Sequence, residues 1–132
     1  MSKVIDDKIY YLDASRPRLG FGRLSWDCYN GHSRIINEQA TPIEFSSDSL
    51  FERKLTFLNI YNAEKGEIAG KMQQTPGYYE SYSLRERVKE KGIEELIKDI
   101  KKDFVADVNI SNPKIDSLDK LDENIQLIYD LL

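Results

Sequence analysis

Apolar and polar positions alternate with a period of two in several short stretches of this chain, and with a helical period in one. The clearest alternation opens near Leu50 and runs to Tyr61. Leu55, Phe57, Asn59 and Tyr61 fall on one face, with Thr56, Leu58 and Ile60 on the other, which predicts a strand. Asn62-Ala63-Glu64-Lys65-Gly66 reads as a hairpin loop, and Glu67 to Gln74 as the return strand. Gly70 inside that strand predicts a bulge or a close backbone approach, and Thr75-Pro76-Gly77 predicts its end.

The period then lengthens. Leu84 and Val88 open an apolar stripe that Ile93, Leu96, Ile97, Ile100 and Phe104 continue, as an amphipathic helix requires. Ser83-Leu84-Arg85-Glu86 fits a capping box and predicts the helix start. Gly92 predicts a kink, or two helices with the glycine between them. The charged outer face reads as solvated. Beyond the helix, Val105, Val108 and Ile110 lead to Asn112-Pro113, which predicts a stop. An acidic linker follows. Ile125 to Leu132 alternates again, with Ile125, Leu127, Tyr129 and Leu131 on one face. The fold class expected is α+β: an antiparallel sheet of about four to six strands, with one amphipathic helix region, kinked or broken, packed on a face.

The first third is less regular. Val4 and Ile5, the polar turn Asp6-Asp7-Lys8 and the run Ile9 to Leu12 predict a hairpin. Residues 14–31 read as an irregular connector held by Pro17, glycines and the anchors Phe21 and Trp26. Ser33 to Asn37 is a short strand candidate. Residues 38–49 are polar and contain Pro42, so a domain boundary is expected there, with one region at 1–45 and another at 46–132.

Composition narrows the classes. The chain has 132 residues, enough for one modest core, with 40% hydrophobic and 32% charged residues. No apolar run approaches the roughly 18 residues of a spanning helix. The net charge is −4, and residues 106–132 carry two lysines against six acidic residues, so no basic face is left for a nucleic-acid backbone.

Candidate chemistry is sparse. Cys28 is the only cysteine and His32 the only histidine, too few for a structural zinc site, so a metal site here would need Asp13 or Asp27 to complete it. A thiol-dependent enzyme built on Cys28 with His32 and Asp13 has the right residue types. The pair is separated by a Tyr29-Asn30-Gly31 turn, however, and no second strand would hold base against nucleophile. Gly20-Phe21-Gly22 lacks the third glycine and the βαβ context of a dinucleotide fingerprint. No cofactor is predicted.

One stretch carries a resemblance. Tyr10-Tyr11-Leu12-Asp13-Ala14-Ser15, followed by Leu19 to Leu24 (LGFGRL) and by Cys28 to Gly31 (CYNG), resembles the last segment of a transglutaminase-like domain. The family consists of Bacteroidetes-type proteins with an N-terminal β-rich domain of unknown function (DUF3857), a central transglutaminase-like domain and a C-terminal domain of unknown function (DUF3858). The resemblance implies that Asp13 is the third member of a Cys-His-Asp triad whose cysteine and histidine lie upstream. No Cys or His precedes Asp13 here, so this chain is expected to be a fragment: the end of the catalytic domain plus a DUF3858-like accessory domain. It implies a non-catalytic structural or binding module, partnered by the upstream transglutaminase-like domain of the same polypeptide, in the periplasm or cell envelope. Within the fragment Asp13 is expected to be a dispensable carboxylate.

Overall fold

The computed structural model describes residues 2–132, apart from the side chains of Ser49 and Lys65. The chain divides into two compact units, one reaching Phe51 and one running from Glu52. Each is described by itself.

The first unit contains two separate hairpins. Strands β1 (Ser2–Ile5) and β2 (Lys8–Tyr11) pair antiparallel, with Val4 opposite Ile9. Asp6 and Asp7 both take positive φ, at 48° and 59°, the backbone of a two-residue primed turn that matches strand twist. Strands β3 (Gly31–Arg34) and β4 (Pro42–Phe45) pair with Ser33 opposite Ile43. β4 lies inside the polar stretch read from sequence as a boundary. The reason is that Pro42 takes the first strand position, where no ladder donor is needed, and Ile43 and Phe45 alternate inward. The turn between these strands is held by Asn37, whose Oδ1 accepts from the Thr41 N–H at 3.1 Å.

The second unit is α+β. Strands β5 (Leu55–Asn62), β6 (Ile68–Thr75), β7 (Ile110–Asp116) and β8 (Gln126–Leu131) form one antiparallel sheet in the order β5-β6-β8-β7. Helices α1 (Tyr78–Lys91) and α2 (Ile93–Lys102) lie between β6 and β7 in sequence. Gly92 separates them at φ +82°, a conformation that any side chain would strain. The core is Met72, Leu127 and Tyr129 from the two central strands, with Ile100 and Phe104 packed on them. Leu96 is 2% exposed. The Tyr129 hydroxyl meets Met72 Sδ at 2.9 Å inside this core. Gly70 is a close approach and not a bulge: a Cβ there would stand 3.1 Å from the Asn59 carbonyl oxygen.

Several expected boundaries move: β3 is Gly31–Arg34 and not Ser33 to Asn37, and β5 begins at Leu55 and not near Leu50. Asn112-Pro113 does not stop the chain. It forms a bulge inside β7, with the register shifting between Ser111 and Lys114 and Asn112 at φ 51°. Proline is tolerated because β7 is an edge strand. The helix starts at Tyr78, five residues before the Ser83 capping box. Its first amides are capped from a distance: Glu52 Oε1 accepts from Tyr79 N–H at 3.0 Å and Oε2 from Glu80 N–H at 3.3 Å. Gly77 makes room, since a Cβ there would fall 2.5 Å from Glu52 Oε2. A carboxylate on a helix N-terminus satisfies orphan donors and opposes the macrodipole together.

The face that α1 buries is polar, not apolar. Tyr78, Ser81 and Arg85 form its buried row. The Ser81 hydroxyl donates to the Pro76 carbonyl at 3.3 Å and accepts from Ile125 N–H at 3.1 Å. Arg85 is fully buried, although the sequence places it among the solvated charges. Its Nη2 donates to the carbonyls of Ser117 (3.3 Å), Lys120 (2.8 Å) and Glu123, gathering the β7–β8 loop around one cation. Burial pushes the Arg85 pKa down.

Candidate functional site

Asp13 stands two residues after the end of β2. Its Oδ1 accepts from the Ser15 N–H at 2.9 Å and the Ser15 hydroxyl at 2.6 Å, an Asx-type turn that reverses the chain out of the strand. Its Oδ2 accepts from the Ser25 N–H at 3.3 Å and receives the Cys28 thiol at 4.0 Å. The carboxylate therefore ties the 13–15 turn to the single-turn 3₁₀ helix Trp26–Cys28. The serine hydroxyl and amide hold the Asp13 pKa below its ordinary value, helped by the Ser25 amide and the Arg16 charge.

Asp27 is the second carboxylate of this corner. It accepts from the Ser25 hydroxyl and pairs with Arg16 Nη2 at 3.3 Å. Cys28 thus lies between two anions. Burial, then Asp13, then Asp27 push its thiol pKa up. A nucleophilic cysteine needs a cation, a helix N-terminus or an adjacent base to lower its pKa, and this surrounding does the reverse.

His32 lies on β3, exposed, opposite Glu44 in the register. No hydrogen bond joins it to Cys28 or Asp13 among the described residues. Asp13 and Cys28 are brought together and His32 is not. A cavity of about 570 Å³ opens beside Cys28, walled by Tyr11, Leu24, Arg34, Ile43 and Phe45 among others. Asp13 and His32 are not part of its wall. Phe45 anchors it through edge-on contacts with Tyr11 and Tyr29, at 5.0 and 6.1 Å between ring centroids.

Sequence reasoning missed Ser15, Ser25 and Asp27 as partners of Asp13 and Cys28. The Asp13-x-Ser15 spacing is a readable Asx-turn signal. The approach of Ser25, twelve residues on, has no local signal. Among the described residues no group of three His, Cys, Asp or Glu is placed to hold a metal ion, and no helix is long and apolar enough to cross a membrane.

No protein-family model matches the chain, and no curated protein or solved structure matches it.

Proposed function

We propose that this chain is a non-catalytic structural or binding module belonging to a polypeptide that also carries a transglutaminase-like domain. The observation that carries the non-catalytic part is the setting of Cys28. Two carboxylates flank the one thiol, and the one imidazole is exposed on β3, with no hydrogen bond to the thiol among the described residues. The parentage rests on the resemblance of Tyr10 to Ser15 and of the glycine-rich run that follows. In the parent, Asp13 orients the histidine of the catalytic pair, and an ionised carboxylate fixed by a turn is what that role requires.

Thiol alkylation tests the first part. At neutral pH Cys28 should react more slowly than a free thiol, and its reactivity should rise only at alkaline pH. Fast alkylation with a depressed thiol pKa would instead favour a thiol-dependent enzyme. Amide-hydrolase and transglutaminase assays of the chain should show no turnover sensitive to Cys28→Ala. For the parentage, Asp13→Asn in the full-length protein should reduce amide-directed activity by orders of magnitude. Full activity in that variant would remove Asp13 from the triad.

A further inference from the structure

The four-stranded sheet has two edges, and they are built differently. The β7 edge carries a bulge, Pro113, Lys114 and Asp116, which are devices that discourage strand addition. The β5 edge carries none of them. It is eight residues long, LTFLNIYN, with no charge, proline, glycine or bulge. Every residue in it is exposed, and Phe57, Ile60 and Tyr61 are 61%, 66% and 52% exposed.

The direction of its free backbone groups follows from the hairpin. Ala63 N–H donates to the Glu67 carbonyl at 2.8 Å, so the alternate residues Tyr61, Asn59, Phe57 and Leu55 bond β6. The N–H and C=O groups of Thr56, Leu58, Ile60 and Asn62 therefore point outward.

We propose that β5 is a homodimer interface: it pairs antiparallel with β5 of a second copy about a two-fold axis at Asn59, joining two four-stranded sheets into one of eight strands. An axis at Asn59 uses the outward groups. It sets Leu58 against Ile60 of the second copy, and Thr56 against Asn62, as hydrogen-bonded pairs made by the outward groups. On the opposite face it sets Phe57 against Tyr61 of the second copy at a non-hydrogen-bonded position, where side chains approach most closely. Asn59 faces its own copy, amide to amide. At the axis Asn59 meets only itself, so a charge there would face its own sign, and the residue is a neutral amide. The other pairs this register makes match in kind, apolar Leu58 with apolar Ile60, aromatic Phe57 with aromatic Tyr61 and polar Thr56 with polar Asn62, so the strand complements a copy of itself and offers nothing to a charged peptide.

Sedimentation velocity of the full chain over a concentration series tests this, with amide exchange on the same samples. The chain should be dimeric at about 100 µM, with Leu58 and Ile60 amides protected in the dimer. Asn59→Lys, at an exposed site, should keep the native circular dichroism and weaken dimerisation about ten-fold or more at low salt. Mixing Asn59→Lys with Asn59→Asp should restore association as a heterodimer, because opposite charges then meet at the axis. A wild-type chain that stays monomeric would overturn the proposal. If its Leu58 and Ile60 amides were protected in that monomer, another segment of the same chain would be the occupant. An Asn59→Lys variant that dimerises as the parent does, or a mixture that associates no better than either variant alone, would overturn it equally.

Discussion

The two units keep their shape by different means. The unit from Glu52 onward has an apolar centre, in which Met72, Leu127 and Tyr129 of adjacent strands meet Ile100 and Phe104, and Leu96 of α2 is buried as well. Among its described residues the unit up to Phe51 buries only Leu24 of the large apolar side chains, and its order is local: a primed turn at Asp6-Asp7, an Asn37 turn, and the carboxylate corner of Asp13 and Asp27. Burial scales with area and tolerates pH, whereas a hydrogen-bonded corner depends on protonation. One chain thus combines a unit sensitive to cavities with a unit sensitive to charge.

The largest test of that contrast is Leu96→Ala. It should destabilise the second unit by about 2–5 kcal/mol in denaturant unfolding. A loss under about 0.5 kcal/mol, the scale of surface sites, would remove the apolar centre from the account. Next is Arg85→Ala, expected to cost about 2–4 kcal/mol, because three loop carbonyls lose a buried donor. Amide exchange should show the 117–124 loop loosening first.

In the first unit Asp13→Asn should cost about 1 kcal/mol, from weaker hydrogen bonds to Ser15 and Ser25. That revises the sequence-based expectation of a dispensable carboxylate. The loss should appear in local amide exchange around residues 13–28 and leave the second unit's unfolding midpoint in place. A unit-wide collapse, or no change, would break the distinction between the two.

Acid sharpens it. Asp13 and Asp27 have folded pKa values below the ordinary 3.8, lowered chiefly by the Ser15 and Ser25 hydroxyls. Their contribution is complete above the ordinary value and is lost as pH falls through the folded one. Cys28 has the opposite sign: its raised pKa favours the folded state below the ordinary 9.0, and that contribution disappears as pH rises through the folded value. Near-ultraviolet signals and exchange in the first unit should therefore decay below about pH 4, before the apolar centre opens. The smallest effect belongs to Ser83→Ala, at or below about 0.5 kcal/mol, since Glu52 and not Ser83 caps α1.

Much of the second unit is legible in the sequence. The β5–β6 hairpin and the inward row Leu127 and Tyr129 follow from alternation, because strands half-buried against a helix must alternate, and the break at Gly92 follows from the glycine inside a helical stripe. The start of α1 was hidden. The Ser83 box has the right local chemistry, but the competing cap is a carboxylate from Glu52, 27 residues away from the first amide it serves. Arg85 was hidden for a related reason: the carbonyls that justify burying a guanidinium come from residues 117, 120 and 123. In the candidate site, the Asp13 turn is written in Asp13-x-Ser15, while the anionic setting of Cys28 depends on a turn brought back from Ser25.

The position of β8 governs how the second unit can form. It lies between β6 and β7 in the sheet, and Met72 meets Tyr129 across 57 residues of chain. The β5–β6 hairpin and both helices are local and can form early, but none has a core to close on until β8 docks. Closing that long loop is the slow, entropically costly event, so folding of this unit is gated by its last-made strand. During synthesis the apolar face of β6 therefore waits unpaired beside the unguarded β5 edge. That interval is the one in which a chaperone, or a neighbouring nascent chain, would find the most to bind.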